Sequence, residues 1–133
     1  MAATERLMGE ISLVRGIGVD IVKLERIEAA YERFGERFAR KVLSADELAT
    51  SAITASFIAK RFASKEAIAK ALGSGFREGI TMPLITVTKN QLNKPEVALA
   101  GAAAERLRAI GAQEVLVSIS EEVDSVVAFA IAQ

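Results

Sequence analysis

The stretch Arg61-Phe-Ala-Ser-Lys-Glu-Ala-Ile-Ala-Lys-Ala-Leu-Gly-Ser-Gly75 sets one carboxylate, Glu66, among the cations Arg61, Lys65 and Lys70. A helical period stacks Glu66 and Lys70 one turn apart and brings Phe62, Ala69 and Leu72 to or near one face. Packing alone does not call for that many charges around one acid. A site for a phosphate and a divalent metal does, because the metal needs a hard oxygen ligand and the phosphate needs cations. The plainer alternative is a solvated Glu66–Lys70 pair worth about 0.3–0.5 kcal/mol.

A second carboxylate lies far upstream, in Gly16-Ile-Gly-Val-Asp-Ile-Val22. In a strand, Ile17, Val19 and Ile21 share one face while Gly18 and Asp20 share the other. An ionised group in such surroundings is costly unless it is paired, capping or metal-bound. Asp20 is therefore either the cap of a helix beginning near Lys23 or part of a site that a ligand reaches past the glycines. Asp20 and Glu66 together form a minimal Mg²⁺ and diphosphate site, with lysine and arginine neutralising the remaining charge. Gly73, Ser74 and Gly75 offer backbone N–H groups to a phosphate, or they simply end the helix. They are not a P-loop, since they follow the helix instead of preceding it.

The chain has 133 residues and contains neither cysteine nor histidine. Disulfides and thiolate metal sites are excluded, as are histidine-based nucleophilic triads and imidazole zinc. Acid–base work falls to carboxylates, lysine, tyrosine or water. The formal net charge is zero but unevenly spread. Ser56 to Arg77 carries Lys60, Arg61, Lys65, Lys70 and Arg77 against Glu66 alone, whereas Ala112 to Gln133 carries four acids and no base. An anionic ligand is favoured. Nucleic acid is not, given 5% aromatic residues. No apolar run approaches the roughly 20 residues of a membrane span, and Met1 to Arg15 lacks a signal-peptide core, so a cytoplasmic protein without membrane partners is expected.

These groups need elements to hold them. The pattern predicts a strand over Ser12 to Val22, a helix over Lys23 to Phe34 stopped by Gly35, and a short helix over Arg37 to Leu43. Ser44 and Glu47 form a capping box. The long helix runs from Phe57 to Leu72, closed by Gly73. Strands follow at Leu84 to Thr88 and Glu96 to Leu99 around an Asn93-Lys-Pro95 turn. A helix from Ala102 to Ile110 precedes a hairpin of Val115 to Ile119 and Ser125 to Ile131. The order predicts a single α+β (mixed α/β) domain, a long helix packed on a mainly antiparallel sheet. On the first helix Leu24, Ile27, Tyr31 and Phe34 share a face. Arg26 and Arg33 form a row that Arg37 and Arg40 extend if the helix survives Gly35. That row is either a solvated face or a dock for an acidic protein.

The chain resembles the bacterial holo-acyl-carrier-protein synthases, the small 4′-phosphopantetheinyl transferases. Four pieces carry the resemblance: Gly16 to Val22 with Glu25-Arg-Ile27, Arg37 to Leu43, Ala59 to Gly75, and Asn93-Lys-Pro95. The glycine–aspartate strand and the Lys-Glu-Ala-x-x-Lys-Ala helix are specific in combination. The resemblance implies Mg²⁺-dependent transfer of phosphopantetheine from coenzyme A to a serine of apo-acyl carrier protein, in fatty acid biosynthesis, by a homotrimer. It implies that Asp20 and Glu66 hold Mg²⁺ and that Lys70 faces the phosphates. Arg61, Lys65, Gly73, Ser74, Gly75, Lys94 and Pro95 would lie at the nucleotide, and Arg26, Arg37, Phe38 and Lys41 at the carrier protein. The domain is expected over residues 15–133, after an N-terminal extension of 1–14. The chain departs from the pattern at Asn93, usually glycine, and at Glu121, where many members have histidine after the Ser-Ile-Ser strand. Two other readings are a non-catalytic coenzyme A or nucleotide-binding module and an arginine-faced interaction domain.

Overall fold

The computed structural model describes residues 13–50 and 52–133, so the expected N-terminal extension falls almost wholly outside the described residues. The chain runs β1 (Gly16–Lys23), α1 (Leu24–Phe34), α2 (Glu36–Val42), α3 (Ala45–Leu48) and α4 (Ala55–Leu72). A 3-10 turn (Met82–Leu84) leads to β2 (Ile85–Lys89), β3 (Pro95–Leu99), α5 (Gly101–Ala109), β4 (Val115–Glu121) and β5 (Ser125–Ala132). Two antiparallel sheets result, one ordered β1-β5-β4 and one made of β2 and β3. This is the expected architecture. The strand at the start is shorter than the pattern suggests and runs on past Asp20 to Lys23.

The long helix α4 lies across β1 and β5. The seam between them is built from small residues: Ala63, Ala67 and Ala71 on the helix, Ala128, Ala130 and Ala132 on β5, all buried. Gly16 and Gly18 let β1 come closer still. A Cβ at Gly18 would sit 2.0 Å from the Ala67 carbonyl oxygen, and one at Gly16 1.8 Å from that of Ala71. Thr54 caps the start of α4 by accepting from the Phe57 N–H at 3.1 Å. Gly73, at φ 75°, ends it in the left-handed conformation that costs glycine least.

Strand alternation gives the sheet two unlike faces. Gly18, Asp20 and Val22 turn toward α4. Ile17, Val19 and Ile21 turn outward and are 62%, 54% and 68% exposed, with Phe129 at 42% opposite Val19. Val127 and Leu116 widen this uncovered apolar face. An apolar patch of this kind is larger than the singly scattered apolar residues normal on a protein surface.

Candidate active site

Asp20 sits in mid-strand, paired with Ala128, and its carboxylate looks across to α4. The capping alternative does not hold: α1 begins after Lys23 and has no side-chain cap. The close β1–α4 seam instead brings Asp20 near Glu66. Burial and then the Asp20 charge push the Glu66 carboxyl above its ordinary value, while Lys70 and Arg26 pull it back. A half-buried carboxyl beside a second negative charge costs more to ionise, and a cation shared by the two relieves that cost.

Lys70 does not form the intrahelical pair with Glu66 that its spacing suggests. Its ammonium reaches over to β1, donating to the Val19 carbonyl at 2.9 Å and to Asp20 Oδ1 at 3.3 Å. It remains exposed. Arg26, on α1, lies over the Phe62 ring at 5.7 Å and acts on Glu66, so it borders the carboxylate pair as well as the α1 surface.

Arg61 and Lys65 are placed differently from expectation. Lys65 is fully buried, its ammonium donating to the Val42 carbonyl at 2.5 Å and to Glu47 Oε1 at 2.6 Å. Arg61 is almost as buried, stacks on Phe57 at 4.4 Å, and donates from Nε to the Val87 carbonyl at 3.0 Å. The reason is rotation. At about 100° per residue, the neighbours Lys65 and Glu66 point in different directions. Burial lowers the pKa of both bases, and Glu47 raises it back in part. The glycine turn is also committed locally: the Gly73 N–H donates to the Lys70 carbonyl and the Gly75 N–H to that of Ala69, leaving neither for a phosphate. Ser74 Oγ donates to the Gly75 carbonyl.

A cleft of about 420 Å³ lies between the β2–β3 hairpin, α4 and β4, lined by Lys60, Lys89, Asn93, Lys94, Pro95 and Glu121 among others. Lys94 and Pro95 thus share one cleft with the cations Lys60 and Lys89. Asn93, at φ 67°, takes the left-handed conformation that asparagine tolerates better than most residues. Asn90 Oδ1 secures the turn by accepting from the N–H groups of Leu92 and Lys94. Lys60 and Lys89 escaped the sequence reading. Lys60 was visible only as one charge in a basic segment. Glu121 accepts from Ser56 Oγ at 2.6 Å and lies 3.6 Å from Lys60. The Ser56 hydrogen bond, with Lys60 and Lys89 nearby, holds its carboxyl below the usual range.

Within one chain this cationic cleft and the Asp20–Glu66 pair are separate, for neither carboxylate lines it. A third feature lies on α1 and α2. Ala30, Phe34, Arg37, Phe38 and Lys41 line an apolar notch of about 310 Å³ with two cations on its rim. The continuous arginine row does not form, because Gly35 separates the helices. Arg40 instead pairs with Glu36 at 3.6 Å.

Among the described residues no group of three or more acidic, histidine or cysteine side chains is placed to hold a metal. Two carboxylates suffice for Mg²⁺, which fills its other positions with water and substrate phosphate oxygens. The oxygen-only donors and the crowding of Glu66 by the Asp20 charge suit a hard cation, whereas the Lys70 ammonium at Asp20 Oδ1 competes for one of the four carboxylate oxygens and leaves the others to a metal.

A family model described as the 4′-phosphopantetheinyl transferase superfamily matches residues 16–126. A holo-acyl-carrier-protein synthase from Halorhodospira halophila is 45% identical over 122 residues, covering 90% of this chain and 97% of the relative. The crystal structure of the synthase from Neisseria meningitidis superposes with a TM-score of 0.84 at 38% identity, covering 91% of this chain and 99% of that one. The Helicobacter pylori synthase, solved in complex with coenzyme A, gives 0.78 at 32% identity, covering 88% of this chain and 99% of that one.

Proposed function

Since the chain belongs to the 4′-phosphopantetheinyl transferase superfamily, we propose that it moves phosphopantetheine from coenzyme A to a serine of apo-acyl carrier protein. The products are holo-carrier protein and adenosine 3′,5′-bisphosphate. Residues 15–133 form the transferase unit. The observation that carries this reading is the meeting of Asp20 and Glu66 across the β1–α4 seam.

Asp20 and Glu66 hold Mg²⁺, which when bound withdraws charge from the diphosphate. Lys70 adds a cation at the same edge. The serine oxygen forms a new bond to the diphosphate phosphorus nearer the pantetheine. The bridging oxygen leaves with the bisphosphate. The serine proton passes to Glu66 as the general base. Lys60, Lys89 and Lys94 receive the nucleotide end of coenzyme A. The cytoplasm, where coenzyme A and the fatty-acid carrier meet, is the proposed location. Among the described residues no helix is long and apolar enough to cross a membrane.

The separation of cleft and carboxylates, together with the uncovered apolar sheet face, supports a homotrimer in which one chain's cleft faces another's Asp20 and Glu66. Val19→Asp is expected to turn a three-chain assembly into single chains and to remove activity with it. Light scattering reads the mass, and a variant that stays assembled sinks the idea. The carrier protein, being acidic, docks on Arg26, Arg37, Phe38 and Lys41. Arg37→Glu is expected to raise KM for the carrier about tenfold or more while KM for coenzyme A holds, since rim charges govern encounter. Equal losses for both substrates would contradict the docking role.

The function itself is tested by mixing the protein with coenzyme A, Mg²⁺ and apo-carrier protein and weighing the carrier. A gain of one phosphopantetheine supports transfer. Binding of coenzyme A without any gain at high enzyme concentration supports the non-catalytic module instead.

A further inference from the structure

The β2–β3 hairpin has two edges, and β3 covers one of them. In the pairing of Val87 with Val97 the ladder bonds fall on the residues to either side, so the N–H and C=O of Val87 face the other edge. Among the described residues no strand lies there to take them. Two side chains do the work: the Val87 N–H donates to Glu47 Oε2 at 2.9 Å, and the Val87 carbonyl accepts from Arg61 Nε at 3.0 Å. Glu47 and Arg61 lie 3.6 Å apart and act as a one-residue stand-in for a missing strand.

Glu47 is anchored in turn. It is 1% exposed, and its Oε1 accepts from the Ser44 N–H at 2.8 Å and from Lys65 at 2.6 Å. The Ser44 hydroxyl accepts from Thr86 Oγ1 at 2.8 Å, one residue before Val87. No buried side-chain polar atom among the described residues is left without a partner. The network therefore ties three pieces of chain: the capping box of α3, the middle of α4, and the strand that leads into the cleft.

The position of those ties has a functional meaning. Two residues beyond Val87 lies Lys89, and the same hairpin carries Asn93, Lys94 and Pro95. One residue before Arg61 lies Lys60, on the opposite wall. The spacing between the walls is set where Arg61 meets Val87. We infer that Glu47 and Arg61 are positioning residues for coenzyme A, holding the hairpin against α4 so that Lys89 and Lys94 stand opposite Lys60. They act on binding of the nucleotide end and not on the transfer step, which belongs to Asp20 and Glu66. The inference rests on the cleft being the coenzyme A site.

Glu47→Gln tests it. An amide has one acceptor oxygen where the Ser44 and Val87 N–H groups need two, so the tie to Val87 weakens while the side-chain volume stays. Measured well below the melting temperature, KM for coenzyme A should rise about tenfold with kcat within about threefold of wild type, the pattern of lost uniform binding. The dissociation constant of adenosine 3′,5′-bisphosphate should weaken by the same factor. Glu47→Gln with Lys65→Met removes the stranded ammonium and should recover the melting temperature, yet keep the raised KM. Arg61→Lys retains the charge but not the fork, and provides a milder variant with the same KM signature if Glu47→Gln fails to fold. A merely structural network gives lower melting temperatures with unchanged KM, or a double variant whose KM returns to wild type. Either result overturns the inference, as does a fall in kcat at constant KM. Wild-type protein that neither binds nor uses coenzyme A would instead remove the proposed function, and is read first.

Discussion

Replacing Asp20 by asparagine or Glu66 by glutamine is expected to lower kcat/KM for coenzyme A about a thousandfold or more. Each loses one of two charged ligands, and a loss of roughly 4 kcal/mol of stabilisation on the diphosphate is three tenfold steps in rate. The two variants should be told apart from damaged protein by their stability. Burial and Asp20 raise the pKa of Glu66 in the folded chain. A carboxyl with a raised folded-state pKa contributes stability that is full below its unfolded value and is lost as pH rises through the folded value. At pH 7 without divalent cation, Glu66 is therefore a burden on the fold. Glu66→Gln should melt at or above the wild-type temperature under those conditions. Mg²⁺ should raise the melting temperature of wild type, by binding the folded state alone, and leave that of Glu66→Gln where it was. Mg²⁺ binding should weaken as pH falls, because protonated Glu66 holds no cation, and activity should decline with it. A Glu66→Gln variant that keeps more than a tenth of wild-type activity would remove the carboxylate pair from the mechanism.

The other large effect is expected from a methyl group. Gly18→Ala places a Cβ 2.0 Å from the Ala67 carbonyl oxygen and 2.8 Å from the Ala71 nitrogen. Both are helix backbone, which cannot rotate out of the way as a side chain can. Either α4 lifts or β1 bends. Overpacking of this kind costs about 3 kcal/mol at the upper end of its common range. For a chain of this size that is a fall of about 10 °C or more in melting temperature. Function should suffer beyond stability. The displaced strand carries Asp20 two residues later and the Val19 carbonyl that Lys70 binds, so both partners of Glu66 and Lys70 move. Transfer activity measured well below the melting point should drop at least tenfold, by the sensitivity of catalysis to ångström-scale displacement. A Gly18→Ala protein that melts within about 2 °C of wild type would show that the seam is softer than its geometry implies.

What the sequence revealed, and what it hid, follows from how far apart the interacting residues lie. The strand, the long helix and the Ser44–Glu47 capping box were legible because each depends on period or on residues within one turn. Asp20 and Glu66 were legible as a pair only through their chemistry: two acids in unusual settings with one need in common. Lys65 adjoins Glu66 in the chain but not in space, because the helix turns it inward onto Glu47. The capping box hid its larger role for the same reason, since Glu47 meets partners 18 and 40 residues away. The cationic cleft draws on α4, the hairpin and β4, and no local pattern in any of them marks Lys60 or Lys89. Lys94 and Pro95, which line the cleft, are singled out by the resemblance and by no spacing of their own. The uncovered sheet face was visible in part, as the alternation of β1, but periodicity alone does not say which face the helix covers.

The two faces of β1 also decide how the chain can pair while it folds. A slip of one residue against β5 would turn every side chain of the strand over. Ile17, Val19 and Ile21 would then press on a helix that leaves no room for even a methyl group at Gly18, and Asp20 would be stranded among Val127 and Phe129 on the outer face. Both halves of that arrangement are unfavourable at once. The strand therefore carries its own proofreading: the one alignment that closes on the helix is also the one that delivers a carboxylate to Glu66.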